Sequence, residues 1–392
     1  MLPTLELEAK RKAYLLGILE AVGQRLDLTE SQYERAKSSY EDVGSWLVAA
    51  QSKFLQTGAV SPHGSIRIQT ANRPRDRAEF DVDVLDVLPD IGDMSNPAAV
   101  KQLVGDRLKE NERYRKILVE KNRCWQLQYA GDFHLDVTPA IRNSRCPNGG
   151  LLVPDKALRV WKATHPIAFA DNFEARARLQ PRYQMAKFAE ARADIEGLPE
   201  RQRHKGVLKR SVQLCKRHRD VRFAEADASL APISIIITTL PGWAPQEGAT
   251  TREHEHGRDV LLESVRGMPK FIQTTRVGND TIYVIPNETT NGENFAEKWN
   301  EDPRRAVAFF QWHRDAVQTL EQFVALQEGE DTVSRHLSKA FGAAVVEPVF
   351  AEVNRVVNAS RAARTLGILG SAGLSSSARA APVRGNNFFG RR

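Results

Sequence analysis

"HGSIRIQTANRPRDRAEFDVDVLDVL", residues 63–88, joins a Gly-Ser pair to a strand-like run that carries two aspartates one residue apart. Strands disfavour aspartate, and two like charges on one face repel each other unless a cation neutralises them. Because side chains alternate along a strand, Phe80, Val82 and Val84 would face one side of the sheet. Asp81 and Asp83 would face the other side together, roughly 6 to 7 Å apart by the strand rise. The pattern therefore predicts a half-buried strand whose polar face holds a metal ion.

A third carboxylate is predicted from the stretch GDFHLDVTPAI, residues 131–141, which also alternates apolar and polar side chains. Asp136 lies between apolar residues in mid-strand, whereas Asp132 follows a turn glycine, so we take Asp136 for the site. Asp86 would point to the opposite face of its strand and is left out. An isolated Asp-x-Asp is more often solvated, but three converging carboxylates favour two magnesium ions about 3.5 to 4 Å apart, with manganese able to substitute.

The Gly-Ser pair gives a reason for the spacing. Gly64 would let the backbone approach the carboxylates closely, and Ser65 at a helix start would offer its hydroxyl and amide to a phosphate. A Gly-Ser pair alone is usually only a turn. The prediction of a phosphate site here therefore depends on the aspartates nearby.

Composition narrows the class of partner. The 392 residues carry 56 basic and 49 acidic side chains, a net charge of +7. Four arginines lie in the last 22 residues, which contain no acid, and this leaves +3 for the rest of the chain. Such a balance argues weakly for a nucleic-acid polymer and leaves room for a polyanionic small molecule. Three scattered cysteines suggest neither zinc nor a disulfide framework, and no apolar run is long enough to span a membrane, so we expect a cytoplasmic protein.

The order of predicted elements favours an α+β fold. Residues 5–55 should form two helices, the second starting with a capping box of Thr29 and Gln32. Strand-like alternation follows at 60–90 and 123–141, on either side of a helical segment at 97–119. Helical signals dominate after about residue 155, including a helix that begins at Asp302-Pro303. Its predicted apolar stripe consists of Val307, Phe310, Val317, Leu320 and Val324.

The Gly-Ser pair, the Asp-x-Asp and the later single aspartate together resemble the polymerase-β-like nucleotidyltransferases. With LCKRHRD and NGENFAEKW added, the chain from about residue 10 to 330 is similar to the bacterial cyclic-oligonucleotide synthases called CD-NTases. These are relatives of animal cyclic GMP–AMP synthase and oligoadenylate synthase. The resemblance implies a bilobal fold: an α/β nucleotidyltransferase core at 1–155, a helical lobe at 156–370 that closes the nucleotide cleft, and a flexible basic tail at 371–392.

The resemblance also implies a reaction. ATP and other NTPs would be joined, with magnesium, into a cyclic di- or trinucleotide that activates an antiphage effector. Gly64 and Ser65 match the turn that holds the donor triphosphate. Asp81, Asp83 and Asp136 match the metal triad, in which Asp136 would help to position or deprotonate the attacking ribose hydroxyl.

A basic helix at residues 204–220 supplies further candidates. Lys205, Lys209 and Lys216 border its apolar face, where a lysine can reach a phosphate, although a solvated basic face is the common alternative. The family has a triphosphate-contacting lysine at the position of Lys216, and Lys209 is a weaker nucleotide-binding candidate with Arg210. Residues 230–240 predict a buried strand by propensity, whereas the resemblance implies a helix whose first turn places Ser234 against the nucleotide.

Several stretches gave narrower expectations. Phe295 and Trp299, at helical spacing, predict core packing, and Asn287 after Pro286 departs from the family's Asn-Pro order. His254 and His256 predict a solvated loop rather than a metal site. The tail NNFFGRR resembles the tails that a ubiquitin-transfer-like partner conjugates, and a disordered tail without a partner is the alternative.

Two other functions stay open at this point. A linear nucleotidyltransferase could adenylate RNA 3′ ends or modify a protein or small molecule, but the modest charge and 7% aromatic content offer little support for an RNA track. A catalytically dead sensor or scaffold would have no reason to keep three repelling aspartates. We therefore expect an enzyme with NTP substrates, no obligatory nucleic acid and no membrane contact.

Overall fold

The computed structural model describes residues 2–50, 55, 58–75, 78–88, 96–155, 157, 159–179, 182–183, 205–248, 253–254, 257–325 and 329–363, with residue pairs at 367–368, 374–375 and 381–382. The helices are α1 (Leu2–Leu26), α2 (Glu30–Val48), α3 (Gly64–Arg67), α4 (Pro97–Glu110), α5 (Glu112–Ile117), α6 (Pro166–Ala177), α7 (Gly206–Arg222), α8 (Ser234–Gly248), α9 (Gly257–Gly267), α10 (Glu297–Glu301), α11 (Arg304–Ala325), α12 (Glu330–Phe341) and α13 (Ala343–Ala362).

The strands are β1 (Ala59–His63), β2 (Phe80–Val87), β3 (Leu118–Glu120), β4 (Trp125–Tyr129), β5 (Phe133–Arg142), β6 (Leu151–Asp155), β7 (Val160–Thr164), β8 (Arg182–Tyr183), β9 (Glu253–His254), β10 (Gln273–Val277) and β11 (Asp280–Val284). The first seven form one sheet in the order β1-β2-β5-β4-β3, with β6 beside β5 and β7 beside β6. Strands β2 and β5 run parallel, and the other neighbours are antiparallel. The α+β class with a mixed sheet, predicted from the order of elements, is confirmed.

Alternation along β2 and β5 builds the first core. The even residues of β2 and the odd residues of β5 are buried on one face of the sheet, where they pack with side chains of α2 and α4. This core contains Phe80, Val82, Val84, Phe133, Leu135, Val137, Val43, Leu47, Val100 and Val104. The opposite face carries polar side chains in the first half of both strands, whereas Leu85, Val87 and Ala140 further along form a smaller apolar cluster with Leu151 and Val153.

Helix starts follow the predicted chemistry. The Thr29 hydroxyl accepts the Gln32 backbone N–H at 3.2 Å, and the Gln32 side chain accepts the Thr29 N–H at 3.0 Å. Asp302 likewise accepts the Arg304 backbone N–H at 3.2 Å before α11. Both predicted caps are confirmed, because each satisfies a backbone donor that the first helical turn leaves free.

The second core lies among helices and includes α1. Leu15, Val22 and Leu26 of α1 are buried with apolar residues of α7, α8, α9 and α11–α13. Arg210 of α7 reinforces this packing by donating to the carbonyl of Gly23 at 2.9 Å. Helix α1 therefore packs on the helical lobe although it precedes the sheet in sequence. The domain boundaries at 155 and 370 stay predictions.

The structure decides between the two readings of residues 230–240 and corrects one predicted helix stripe. Residues 234–248 form the helix that the resemblance implied and not the strand that propensity favoured, because Ile236, Ile237 and Leu240 are buried in the helical core and tertiary burial outweighs β propensity. On α11, the prediction that Val307 belongs to the buried stripe is wrong, because its side chain is 55% exposed. The larger Phe309 and Trp312 are buried instead. The other predicted stripe residues lie in or beside the core.

The histidine pair and the C-terminal tail differ in how much of them the structure describes. His254 lies in the two-residue strand β9, paired with Tyr183, rather than in a loop, and His256 lies outside the described residues. In the predicted tail, residues 374–375 and 381–382 pair with 367–368, and the stretch from residue 383 onward lies outside the described residues. No helix among the described residues has the length and apolar character needed to cross a membrane.

Candidate active site

The strand register brings the three predicted aspartates together. Asp83 of β2 lies directly opposite Asp136 of β5 in the parallel pair, and Asp81 lies opposite His134. Neighbouring strands lie about 4.8 Å apart, so Asp83 and Asp136 stand side by side on the polar face. The predicted convergence of carboxylates separated by 53 residues in sequence is therefore present in the fold. Asp86, left out of the site, is buried on the other face, where burial raises its pKa to about 7.

The carboxylates repel each other in a partly buried place. Loss of hydration, followed by repulsion from Asp81 and Asp136, raises the pKa of Asp83 to about 7. Burial also raises the pKa of Asp136. Lys216 and His134 oppose the shift at Asp83 without cancelling it. Three carboxylates on one face supply the oxygen ligands that a divalent cation prefers, and a bound cation would remove the repulsion.

Neighbouring side chains hold two of the carboxylates. The His134 imidazole pairs with Asp81, and the Gln126 amide donates to Asp136 at 2.8 Å. The Cys124 thiol also bonds to Asp136, and burial raises the pKa of this thiol. With these partners in place, no three His, Cys, Asp or Glu side chains of the described segments are arranged to hold a metal ion as they stand. A cation would replace the His134 and Gln126 contacts.

No role was predicted from the sequence for these three neighbours of the aspartates. His134 could have been found, because the alternation in GDFHLDVT places it on the same face as Asp136. Gln126 and Cys124 come from a strand and turn whose pairing with β5 no local pattern reveals.

Gly64 has to be glycine for two reasons. Its φ is +61°, a backbone conformation that residues with a side chain rarely adopt. A Cβ added there would lie 1.9 Å from Oδ2 of Asp83. The chain therefore turns from β1 into α3 in contact with the carboxylate, as the spacing predicted. Ser65 follows and lines the cleft beside the aspartates.

A cleft of about 1020 Å³ opens over this face of the sheet. That volume is at the upper end of pockets for one drug-sized ligand, so it gives more room than a single nucleotide needs. Its walls combine the sheet and α3 with residues of the helical lobe from α6, α7, α8 and the loop before α10.

Lys216 and Ser234 both lie in this cleft. Lys216 is only 6% exposed, and its Nζ donates to the Thr70 hydroxyl at 3.1 Å. Burial lowers the pKa of Lys216 to about 8. Ser234, the first residue of α8, accepts a hydrogen bond from Arg219 at 3.1 Å. Arg219 also lines the cleft, a residue that the sequence argument did not single out.

Lys209 does not reach the cleft, and its assignment to nucleotide binding needs correcting. It is 3% exposed, forms an ion pair with Glu174 at 2.8 Å and donates to Gln69 at 3.4 Å. Arg210 is likewise committed to the carboxylates of Glu20 and Asp27. The reason is that α7 is buried around most of its surface, so its basic residues need carboxylates as partners.

The loop before α10 forms another part of the wall. Trp299 is buried, as predicted, but Phe295 is only partly buried and lines the cleft. Asn287, whose order with Pro286 departs from the family, is buried and donates to Glu293 at 2.7 Å. Although the order of Pro286 and Asn287 differs from that in the family, the hydrogen bond between Asn287 and Glu293 closes the loop, and the loop lines the cleft.

Comparison with known proteins finds relatives in one bacterial family. Residues 18–176 match the model of the Second Messenger Oligonucleotide or Dinucleotide Synthetase domain. The chain is 28% identical over 301 residues to a c-di-GMP synthase of Roseivirga ehrenbergii, covering 74% of this chain and 75% of the relative. It is 25% identical over 315 residues to the cyclic dinucleotide synthase CdnG of Bradyrhizobium diazoefficiens, covering 75% and 72%. The chain is therefore similar to the bacterial CD-NTases, with the match to the domain model confined to residues 18–176.

The fold agrees with that assignment. A solved structure of the Bradyrhizobium CD-NTase CdnG in complex with GTP superimposes with a TM-score of 0.69 at 22% identity, covering 87% of this chain and 98% of that one. The chain therefore has the fold of this solved CD-NTase, the polymerase-β-like fold that the motifs implied. The CD-NTases generally use divalent metal ions, and Asp81, Asp83 and Asp136 are the carboxylates of this chain that would hold one.

Proposed function

We propose that the chain is a CD-NTase that joins NTPs into a cyclic di- or trinucleotide second messenger and releases pyrophosphate, with two magnesium ions held by Asp81, Asp83 and Asp136. The observation that carries the proposal is the register of Asp83 with Asp136 beside the Gly64–Ser65 turn. Both curated relatives carry names of cyclic dinucleotide synthases, which favours a ring of two nucleotides. The name of the first also favours GTP among the substrates.

The chain's own residues divide the work of nucleotidyl transfer. Ser65, Lys216 and Arg219 would bind the donor triphosphate, and Ser234 would contact the same nucleotide. A ribose hydroxyl of the second nucleotide attacks the α-phosphorus, the new P–O bond forms, and the bond to pyrophosphate breaks. Asp136 would orient that hydroxyl and receive its proton. Bound magnesium would make the hydroxyl more acidic and neutralise the charge of the leaving pyrophosphate.

Ring closure repeats the same chemistry within one linear intermediate. The remaining triphosphate would become the donor, and a hydroxyl at the other end would attack it. The room in the cleft supports this, because the intermediate has to turn over between the two steps. Alignment of the reacting groups supplies most of the catalysis, since no covalent enzyme intermediate is needed.

The biological setting follows as part of the proposal. The product would act on a cognate antiphage effector in the cytoplasm. A ubiquitin-transfer-like partner would engage the C-terminal tail, whose final residues from 383 onward lie outside the described structure. These expectations rest on the family and on the tail sequence NNFFGRR.

Product analysis tests the reaction. The purified protein is incubated with ATP, GTP, CTP, UTP and Mg²⁺ or Mn²⁺, treated with phosphatase and examined by mass spectrometry. We expect a phosphatase-resistant cyclic product, which the Asp81→Ala, Asp83→Ala double variant makes at least about a hundredfold more slowly.

A matched control tests the specificity of that loss. Asp132→Ala removes a carboxylate at the start of β5, where Asp132 pairs with Arg35 at 2.6 Å, and it should leave the product unchanged. A phosphatase-sensitive linear chain as the sole product would contradict cyclisation and favour the linear nucleotidyltransferase.

A further inference from the structure

Glu293 differs from the other carboxylates of the cleft. Most of those have partners: Asp220 pairs with Arg219, Glu297 pairs with Lys162, and Glu79 accepts the Gly131 N–H. Asp81 and Asp83 belong to the proposed metal site. Within the described segments, no lysine or arginine forms an ion pair with Glu293, although its side chain lines the cleft. Arg123 attracts the Glu293 carboxylate electrostatically, but its own ion pair is with Asp155 at 3.1 Å.

The Glu293 carboxylate is held in a fixed orientation. Its Oε2 accepts the Asn287 side-chain N–H at 2.7 Å, and the Thr164 hydroxyl bonds to the same carboxylate. Asn287 is itself fixed, because its Oδ1 accepts the hydroxyl and the backbone N–H of Thr289 at 2.6 and 3.0 Å. The backbone N–H of Asn287 also donates to the Glu293 carbonyl at 3.0 Å. This buried support leaves carboxylate lone pairs available to a ligand in the cleft.

The charge of Glu293 limits which part of a nucleotide it can meet. A triphosphate would be repelled, so the ligand group has to be a base or a ribose that offers N–H or O–H donors. Guanine has two adjacent N–H donors on its Watson–Crick edge, at N1 and N2. Adenine and cytosine place an acceptor next to their donor on that edge, and uracil places a carbonyl on each side of its N–H.

We propose that Glu293 accepts the N1–H and N2–H of a guanine base and thereby selects GTP for one nucleotide position of the cleft. Phe169 and Phe295 support this position, because both line the same cleft, are partly buried and lie with ring centroids 6.0 Å apart. Such rings offer an apolar surface for a base. The inference rests on the proposed function for its substrate class, but it concerns base recognition and not cyclisation.

Binding measurements test this without requiring turnover. GTP, inosine triphosphate and ATP are titrated separately into the wild-type protein in Ca²⁺ by calorimetry. Inosine keeps the N1–H of guanine but lacks its 2-amino group, so we expect GTP to bind tightest, inosine triphosphate next and ATP weakest.

Glu293→Gln keeps the length of the side chain and can still accept from Asn287 through its carbonyl. It then presents an N–H₂ group to the base. We expect the GTP preference over ATP to fall at least about fivefold, the lower end for loss of a bidentate base contact. The preference for GTP over inosine triphosphate should fall in the same variant.

Glu297→Gln is the matched control, since Glu297 lies in the same wall but forms an ion pair with Lys162 at 2.7 Å. The base preferences of this variant should equal those of wild type. Equal weakening of all three nucleotides in Glu293→Gln, as loss of a ribose contact would cause, overturns the proposal. So does a wild type that binds GTP and ATP equally. Thermal unfolding confirms that each variant is folded. If the wild-type protein makes only a linear product, cyclisation is refuted. The ratios of GTP, inosine triphosphate and ATP affinity still decide the role of Glu293 in that case.

Discussion

Replacing Gly64 with alanine should separate activity from stability. The added Cβ would lie 1.9 Å from Oδ2 of Asp83, whereas real Cβ contacts are essentially never under 3.0 Å, so the turn and the carboxylate have to part by about 1 Å. A misplacement of about 1 Å costs roughly a hundredfold in rate. The positive φ of +61° adds a backbone penalty of about 1 to 3 kcal/mol, which a typical stability of about 5 to 15 kcal/mol can absorb.

Gly278→Ala is the matched control, because Gly278 has the same φ of +61° but nothing within 4 Å of an added Cβ. Gly278→Ala should lose the stability that the backbone penalty alone costs and Gly64→Ala at least as much in urea unfolding, while only Gly64→Ala should form nucleotide product more slowly. A Gly64→Ala protein that is folded and as active as Gly278→Ala would refute the reasoning that this turn meets the reacting centre.

Three more predictions follow from the lysines and one histidine of α7. Lys216→Gln removes a charged donor from the cleft, so NTP binding measured by fluorescence should weaken by roughly 10- to 150-fold, the equivalent of about 1.5 to 3 kcal/mol. Lys209→Met instead leaves the partly buried Glu174 without its partner, so urea unfolding should show a loss of about 1 to 3 kcal/mol, with NTP affinity little changed. An equal loss of NTP affinity in both variants would contradict the assignment of Lys209 to structure. Burial lowers the pKa of His218 to about 4, so between pH 6.5 and 4 the unfolded chain takes up a proton that the folded chain does not. The contribution of His218 to stability should therefore fall by about 3 kcal/mol as the pH falls through this window, so stability should depend less on pH in His218→Gln; an equally steep pH dependence in that variant would contradict it.

Much of the sheet could be predicted from sequence because alternation along a strand is a local property. The two strands with aspartates on one face and apolar residues on the other were read from their own residues. Gly64 was also predictable, since a close approach to a carboxylate needs a residue without a side chain. These features depend on residues that are near each other in sequence.

Other features depend on contacts between distant elements. Lys209 and Lys216 share a face of α7. Lys209 forms an ion pair with Glu174 of α6, whereas Lys216 donates a hydrogen bond to Thr70 and lies at the cleft. The isoleucine run after Ser234 favours a strand until burial among neighbouring helices decides for a helix. Glu293 gave no local signal, because its role depends on a cleft wall assembled from Asn287 and Thr164.

Binding of Mn²⁺ tests the central claim, that three carboxylates from two strands form one divalent-cation site. Free Mn²⁺ is measured by electron paramagnetic resonance in the presence of GTP, for wild type, Asp83→Asn, Asp136→Asn and Asp132→Asn. Because Asp83 and Asp136 lie opposite each other, each of their variants should lose protein-dependent Mn²⁺ binding, while Asp132→Asn should bind as wild type does. Wild-type Mn²⁺ affinity in Asp136→Asn would contradict the shared site.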